Sequence, residues 1–241
     1  MKSVVWFARA ALFAMLALGS AVAWSETVFA PHAAEYDVRI SVLGGKLNTS
    51  LATTEAGYAA HHVVRPTGLS RMIARGRIDE YSEFRVTEDG IVPDTYRSND
   101  EITSDKLKAD LSFDWEAFTA EGIVNGQDFL FEMGEFAHDR VSIQYQLMRD
   151  LKYDETSNSY QLFDIDEMKT LNIRLIGEKQ VKVDAGTFKA IGIQHQRVGS
   201  SRVTTLWCVA ELDFLPVVIE QHRKGKLRMR ATLDKYVPRE S

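Results

Sequence analysis

Tyr36-Asp37-Val38-Arg39-Ile40-Ser41-Val42-Leu43-Gly44-Gly45-Lys46-Leu47-Asn48-Thr49-Ser50-Leu51-Ala52-Thr53 is the stretch that decides the fold class. Tyr36, Val38, Ile40 and Val42 alternate with Asp37, Arg39 and Ser41. Leu47, Thr49, Leu51 and Thr53 resume the alternation beyond Gly44-Gly45. A period of two places one set of side chains on a buried face and the other in water, which is the pattern of a half-buried strand. Two such runs about a glycine pair predict a β-hairpin over residues 34–54, turning at Gly44-Gly45.

The same period recurs outward from this hairpin. Strands are expected at 57–64, 71–86, 91–101, 106–113 and 117–124, then at 170–176, 179–184, 187–198, 202–209, 216–223 and 226–236. Asp89-Gly90, Ala185-Gly186 and Lys224-Gly225 supply tight connections, because glycine reaches the positive φ that short turns require. One segment departs from the pattern. Asp139 precedes Val141, Tyr145 and Met148, with Leu147 and Leu151 beside them, at spacings of three and four. That predicts a capped helix from about 139 to 151. Val141, Ile143, Tyr145 and Leu147 also alternate, which leaves a strand open there. Residues 152–160 are polar and read as a loop. The residues thus predict a mainly β protein built on a mostly antiparallel sheet, with one helix near 139–151.

The chain has 241 residues, 45% hydrophobic and 26% charged, enough for a sizeable core in a single domain. A formal charge of -5 argues against a general nucleic-acid binder. The charge is uneven. Asp79 to Glu135 holds sixteen acids against Arg85, Arg97, Lys106 and Lys108, whereas Arg65, Arg71, Arg75 and Arg77 have no acid among them. Arg223, Lys224, Lys226, Arg228 and Arg230 crowd one predicted hairpin. Such stretches are a candidate surface for lipid headgroups or acidic polymer; the plainer alternative is that they pair with the acidic middle or protect an edge strand.

At the N-terminus, Lys2 and Arg9 precede an apolar run from Ala10 to Leu18 and the small residues up to Ala23. These are the requirements of a secretory signal peptide, expected over 1–23 with cleavage after Ala23, or alternatively after Ala30. Residues 24–33 would then be a flexible N-terminus and 34–238 a single β-rich domain. The run is shorter than the roughly 20 residues a membrane span needs. No cysteine follows it to accept a lipid, so the mature chain is expected to be soluble in the periplasm. Cys208, the one cysteine, lies in apolar Leu206-Trp207-Cys208-Val209 and reads as a buried thiol.

Four strings in order carry a family resemblance: Arg65-Pro66-Thr67-Gly68-Leu69; Asp139-Arg140-Val141-Ser142-Ile143-Gln144-Tyr145-Gln146-Leu147; Val183-Asp184-Ala185-Gly186-Thr187-Phe188-Lys189-Ala190; and Leu206-Trp207-Cys208 followed by Leu212-Asp213-Phe214-Leu215-Pro216-Val217. With these spacings the chain resembles a family of exported bacterial proteins, domain of unknown function 3108. The resemblance implies a curved antiparallel sheet, a half-open barrel or sandwich-like, in the cell envelope. It implies no activity. The shape is similar to periplasmic lipoprotein carriers, an analogy that does not by itself establish function.

Candidate chemistry is sparse. His61-His62 are adjacent and point to opposite faces of a strand. His32, His138 and His222 stand alone, and no histidine pair has metal-ligand spacing. His195 falls in phase with Ile191 and Ile193 on a buried face, as a core histidine or, less simply, a base. No nucleophile elbow, calcium loop or phosphate loop is present, so no metal or cofactor is expected. The leading expectation is a non-catalytic periplasmic protein whose curved sheet binds an apolar or amphipathic envelope ligand, lined by Trp115, Phe118, Phe129, Phe131 and Met133. The alternative is a docking module for envelope proteins that uses its acidic middle and the basic Arg223–Arg230 hairpin; under it the concave face is filled by side chains. An envelope hydrolase is a third reading.

Overall fold

The computed structural model describes residues 28–104 and 106–239. In chain order the first half comprises β1 (His32–Ile40), β2 (Leu43–Thr53), β3 (Tyr58–Pro66), the one-turn helix α1 (Ser70–Ile73), β4 (Ile78–Thr87), β5 (Gly90–Asp100), β6 (Lys108–Asp114), β7 (Thr119–Val124) and β8 (Gln127–Glu132). Helix α2 (Ser142–Tyr153) follows. The second half comprises β9 (Ser159–Phe163), β10 (Met168–Val183), β11 (Gly186–Arg197), β12 (Arg202–Val209), β13 (Leu215–Arg223) and β14 (Lys226–Pro238).

Among the described residues these strands make one antiparallel sheet. β1 through β8 follow one another outward, and β14 back through β9 extend from the other side of β1. The two halves join where β1 pairs with β14, from His32 opposite Pro238 to Ile40 opposite Met229. β8 and β9 are the outermost strands and, although His138 bridges the outer edge of β9 at Leu162, they share no ladder, so the sheet is not closed. It curls until those edges meet through side chains: Phe131 of β8 lies 5.5 Å from Phe163 of β9, and Phe113 of β6 lies 5.7 Å from the same ring. The expected mainly β fold, a half-open barrel, is what the chain adopts.

Helix α2 fills the concavity. Its start is held by Asp139, whose Oδ1 accepts the N–H groups of Val141 (2.7 Å) and Ser142 (2.9 Å), while Ser142 Oγ accepts the Asp139 N–H. Two of the helix's otherwise orphan donors are thereby satisfied. Asp154, at φ 57°, ends it in the left-handed conformation. Tyr145 is fully buried against Phe29, Phe84 and His62. Leu147 faces the other half, packing with Leu171, Ile173, Ile193, Leu206 and Cys208. Helical rather than extended backbone wins here because the segment lies inside the sheet with no strand to pair.

Several local expectations are corrected. The first hairpin turns at Ser41-Val42, with Ser41 at φ 58°, and Gly44 and Gly45 pair within β2 opposite Arg39 and Val38. A Cβ on Gly45 would lie 3.1 Å from the Arg65 carbonyl, so the glycine serves close approach by β3 rather than the turn. Residues 71–77 are not strand but α1 and the connection after it. β10 is one strand with an irregularity between Leu175 and Glu178. β1 starts at His32, and Phe29 ahead of it is fully buried. The expected signal peptide, 1–23, lies outside the described residues. Among the described residues, no helix is long and apolar enough to cross a membrane.

Candidate functional site

Four of the five predicted ligand-lining residues are brought to the seam between the sheet edges. Trp115 stacks on Phe113 at 5.3 Å, meets Phe136 at 4.7 Å, and donates its indole N–H to the Pro93 carbonyl at 2.6 Å. Phe129 stacks beside Phe131, which reaches Phe163. Met133 is buried, with its backbone N–H on the Phe118 carbonyl. The Phe118 side chain, at positive φ in the turn before β7, joins none of these ring contacts. The rings pack on one another and on the core, so their first role is to hold the seam shut.

An open cavity of about 510 Å³ lies instead at the mouth of the concavity, over β10–β13. Register builds it in two rows. His195, Thr204 and Gln221 stand opposite one another across β11, β12 and β13; one step outward, Arg202 stands opposite Arg223, and Leu171 opposite Arg197. Lys169 and Asp164 complete the β9–β10 side. Asp164 pairs with both Lys169 and Arg140, and Glu167 holds Lys169 at 2.7 Å and Arg197 at 3.4 Å. Arg202 and Arg223 form no ion pair with any described residue. The mouth therefore presents two uncompensated guanidinium groups above a floor of Leu171, Thr204, Gln221 and His195.

Burial pushes the His195 pKa down to about 4, leaving its imidazole neutral at pH 7. Its side chain hydrogen-bonds to no described residue, and the nearby Ser200 hydroxyl accepts the Arg202 N–H. A serine nucleophile needs its base within about 2.6–3.2 Å, and that pairing is not made. His62 is inward, with its pKa pushed to about 4 by burial, while His61 faces outward to Asp79 at 2.7 Å. Burial pushes the Cys208 thiol up to about 12, as an inert core group.

One cluster was invisible to sequence reasoning because three separate elements supply it. Carboxylate oxygens of Asp37, Asp184 and Asp234 converge within 4.8 Å of one another. Lys46 sits against this group, 2.6 Å from Asp234, 2.8 Å from Glu35 and 3.1 Å from Asp37. Those contacts raise the lysine pKa, with Asp234 the largest cause, and the ammonium offsets part of the cluster's negative charge.

The Arg223–Arg230 stretch is not neutralised by the acidic middle. Arg223, Lys224, Lys226, Arg228 and Arg230 are all exposed, and among them only Arg230 has an ion pair, 3.6 Å from Glu220 on the neighbouring strand. In the other stretch Arg77 meets Asp79, and Arg71 donates to the Pro66 carbonyl.

The family model described as "Protein of unknown function (DUF3108)" matches residues 35–232. No curated protein matches the chain. Among solved structures, the chain is similar to a beta-barrel-like protein of domain of unknown function DUF1849 from Brucella abortus, with 13% identity and a TM-score of 0.57 over 88% of this chain and 99% of that one. It is also similar to MucB, with 9% identity and a TM-score of 0.39, over 89% of this chain and 55% of that one. At its identity the Brucella likeness bears on the fold alone.

Proposed function

We propose that this chain, which belongs to the DUF3108 family of proteins of unknown function, is a non-catalytic periplasmic binding protein that takes the anionic headgroup of an amphipathic envelope ligand at its cationic mouth. The observation that carries this reading is the cross-strand pair Arg202 and Arg223, opposite one another in register at the cavity and with no ion pair to any described residue. Like charges directly opposite on a sheet are destabilising, so a ligand that supplies the missing negative charge gains both contacts and relief of repulsion. A volume of about 510 Å³ suits a headgroup with the first part of a chain, within the range of about 300–1,000 Å³ typical of ligand pockets. Neutral His195, Thr204 and Gln221 offer hydrogen bonds, while Leu162 and Leu171 line the apolar side. The deep concavity is occupied by α2, which favours the mouth over the barrel interior for a ligand. Export, read from the N-terminal sequence, supports the envelope setting.

Titration with monomeric lysophosphatidylglycerol against lysophosphatidylcholine tests the reading. The anionic lipid is expected to bind, and the double change Arg202→Gln with Arg223→Gln to weaken it at least about tenfold, each charged hydrogen bond contributing about 1.5–3 kcal/mol. Equal affinity for the two lipids would overturn it.

A further inference from the structure

One end of the barrel carries an unusual combination. The turns β1–β2, β3–β4, β11–β12 and β13–β14 all fall there, because successive turns of a meander alternate between its ends. They are tied to one another: Gly44 N–H to Ser70 Oγ at 2.8 Å, Thr67 N–H to the Gly44 carbonyl at 3.0 Å, and Lys224 N–H to the Ser201 carbonyl at 3.2 Å. Arg39 opposite Arg230, and Ile40 opposite Met229, set the β13–β14 turn beside the β1–β2 turn. Segments 38–44, 65–77, 197–203 and 222–230 together hold twelve Arg and Lys residues and no Asp or Glu, while the β5–β6 and β9–β10 turns at the same end bring Glu101 against Arg77 and Glu167 against Arg197.

The same turns expose apolar side chains. Val42 is 93% exposed, Leu69 81%, Met72 77% and Ile73 75%. α1 is inverted relative to an ordinary surface helix: polar Ser70 is its buried residue, anchored on Gly44, and its large apolar residues project into solvent. Surface helices ordinarily turn that stripe toward the core. An apolar cluster ringed by cations has a specific physical match in an anionic bilayer surface. Apolar side chains insert at the acyl boundary while the cations meet the headgroups. Three of these cations already pair within the chain, Arg77 with Asp79, Arg197 with Glu167 and Arg230 with Glu220, and a protein partner acidic enough to cover the other nine would have little apolar surface to offer Leu69, Met72 and Ile73.

We propose that this end is a peripheral docking surface for anionic phospholipid bilayers, with Val42, Leu69, Met72 and Ile73 as the inserting residues and the flanking Arg and Lys residues as headgroup contacts. Its inserting residues are separate from the cationic mouth as a ligand site, although Arg197, Arg202 and Arg223 stand on both and docking would bring the mouth against the lipid surface.

The test is flotation of the purified chain with vesicles of phosphatidylglycerol and phosphatidylcholine mixed, and of phosphatidylcholine alone. Binding is expected to the first only, and to be largely released between about 0.1 M and about 1 M salt, as the Debye length falls from about 10 Å to about 3 Å. The triple change Leu69→Ser, Met72→Ser and Ile73→Ser should weaken vesicle binding at least about tenfold. Lys224→Gln, Lys226→Gln and Arg228→Gln should each weaken it about fivefold. All these positions are exposed, so unchanged thermal unfolding confirms that the variants fold. The triple variant should still bind monomeric lysophosphatidylglycerol, which separates this surface from the mouth. Absence of binding to anionic vesicles, full binding by the triple variant, or binding to polyglutamate in place of vesicles would each overturn the proposal.

Discussion

Gly192 on β11 stands opposite Trp207 on β12, and the indole lies across the space its missing side chain leaves. A Cβ there would meet Ile176 Cγ1 at 2.5 Å and Trp207 Cζ3 at 2.8 Å. Lys179 Nζ caps the other side of the ring, 3.6 Å from its centroid, a cation–π contact that counts most where water is excluded. Gly192→Ala should therefore destabilise the fold by about 1–3 kcal/mol through overpacking, despite the entropy it removes from the unfolded chain. Urea unfolding followed by tryptophan fluorescence measures this; an unchanged midpoint would show that Ile176 gives way freely. Alternation in the sequence marks Trp207 as inward, and the residue is indeed buried. What alternation cannot say is on which face. Leu206 and Cys208 point to α2, and Trp207 points away from them. It is covered because the β10–β11 hairpin bends back toward β13 and β14, where the Ala185 N–H reaches the Leu233 carbonyl. Both faces of Thr204–Val209 are consequently buried.

At the scale of elements, α2 depends on a small number of buried polar contacts. Asp139 is fully buried and accepts from Val141 N, Ser142 N and Ser82 Oγ, the last joining the helix start to β4. Further along, Gln146 Oε1 accepts the Ile91 N–H at 2.7 Å, and Arg149 donates to the Glu88 carbonyl at 2.8 Å. Asp139→Ala removes the cap and orphans buried donors, so a loss of about 2–4 kcal/mol is expected. Hydrogen exchange should show the α2 amides opening far more often than those of β1 or β14. Equal protection throughout would mean that apolar packing alone retains the helix. This helix was legible because its cap and its three-and-four spacing are local. β9 was not: it is five residues long, begins within polar Ser157-Asn158-Ser159, and exists because β10 is there to pair with it. β8 shows Phe129 and Phe131 in alternation, yet only the seam explains why those rings lie half buried. α1 was hidden for a related reason, since a tertiary bond from Ser70 to Gly44 decides its orientation. The mouth is more distant still from the sequence. Its Arg202–Arg223 pair follows from the β12–β13 register, which shifts at an irregularity between Trp207 and Cys208.

Across the whole molecule, buried histidines set how the fold responds to acid. Burial lowers the pKa of His62 to about 4, of His195 to about 4 and of His138 to about 3, from the ordinary value of 6.5. A folded-state pKa below the unfolded value means that the unfolded chain takes up protons the native state refuses. Stability is then full above about 6.5 and is lost as pH falls toward the folded values. At pH 5 each buried histidine subtracts about 2 kcal/mol, against a total stability of about 5–15 kcal/mol for a typical domain. Asp139, its pKa raised chiefly by burial, acts in the opposite direction. Urea titrations from pH 7 to pH 5 should show a fall of several kcal/mol, and His138→Asn should remove about 1.4 kcal/mol per pH unit from its slope. A stability independent of pH across that interval would contradict the inward placement of these rings. His195 differs from the other two because it lines the mouth between Arg197 and Arg202. An anion bound there offsets those cations and raises the histidine pKa, so binding between pH 4 and pH 6 should draw in a fraction of a proton and tighten as the medium is acidified. Calorimetry with lysophosphatidylglycerol in two buffers of different ionisation enthalpy measures that proton directly. Its disappearance in His195→Gln would place the imidazole beside the bound charge, and an unchanged uptake would place the ligand elsewhere.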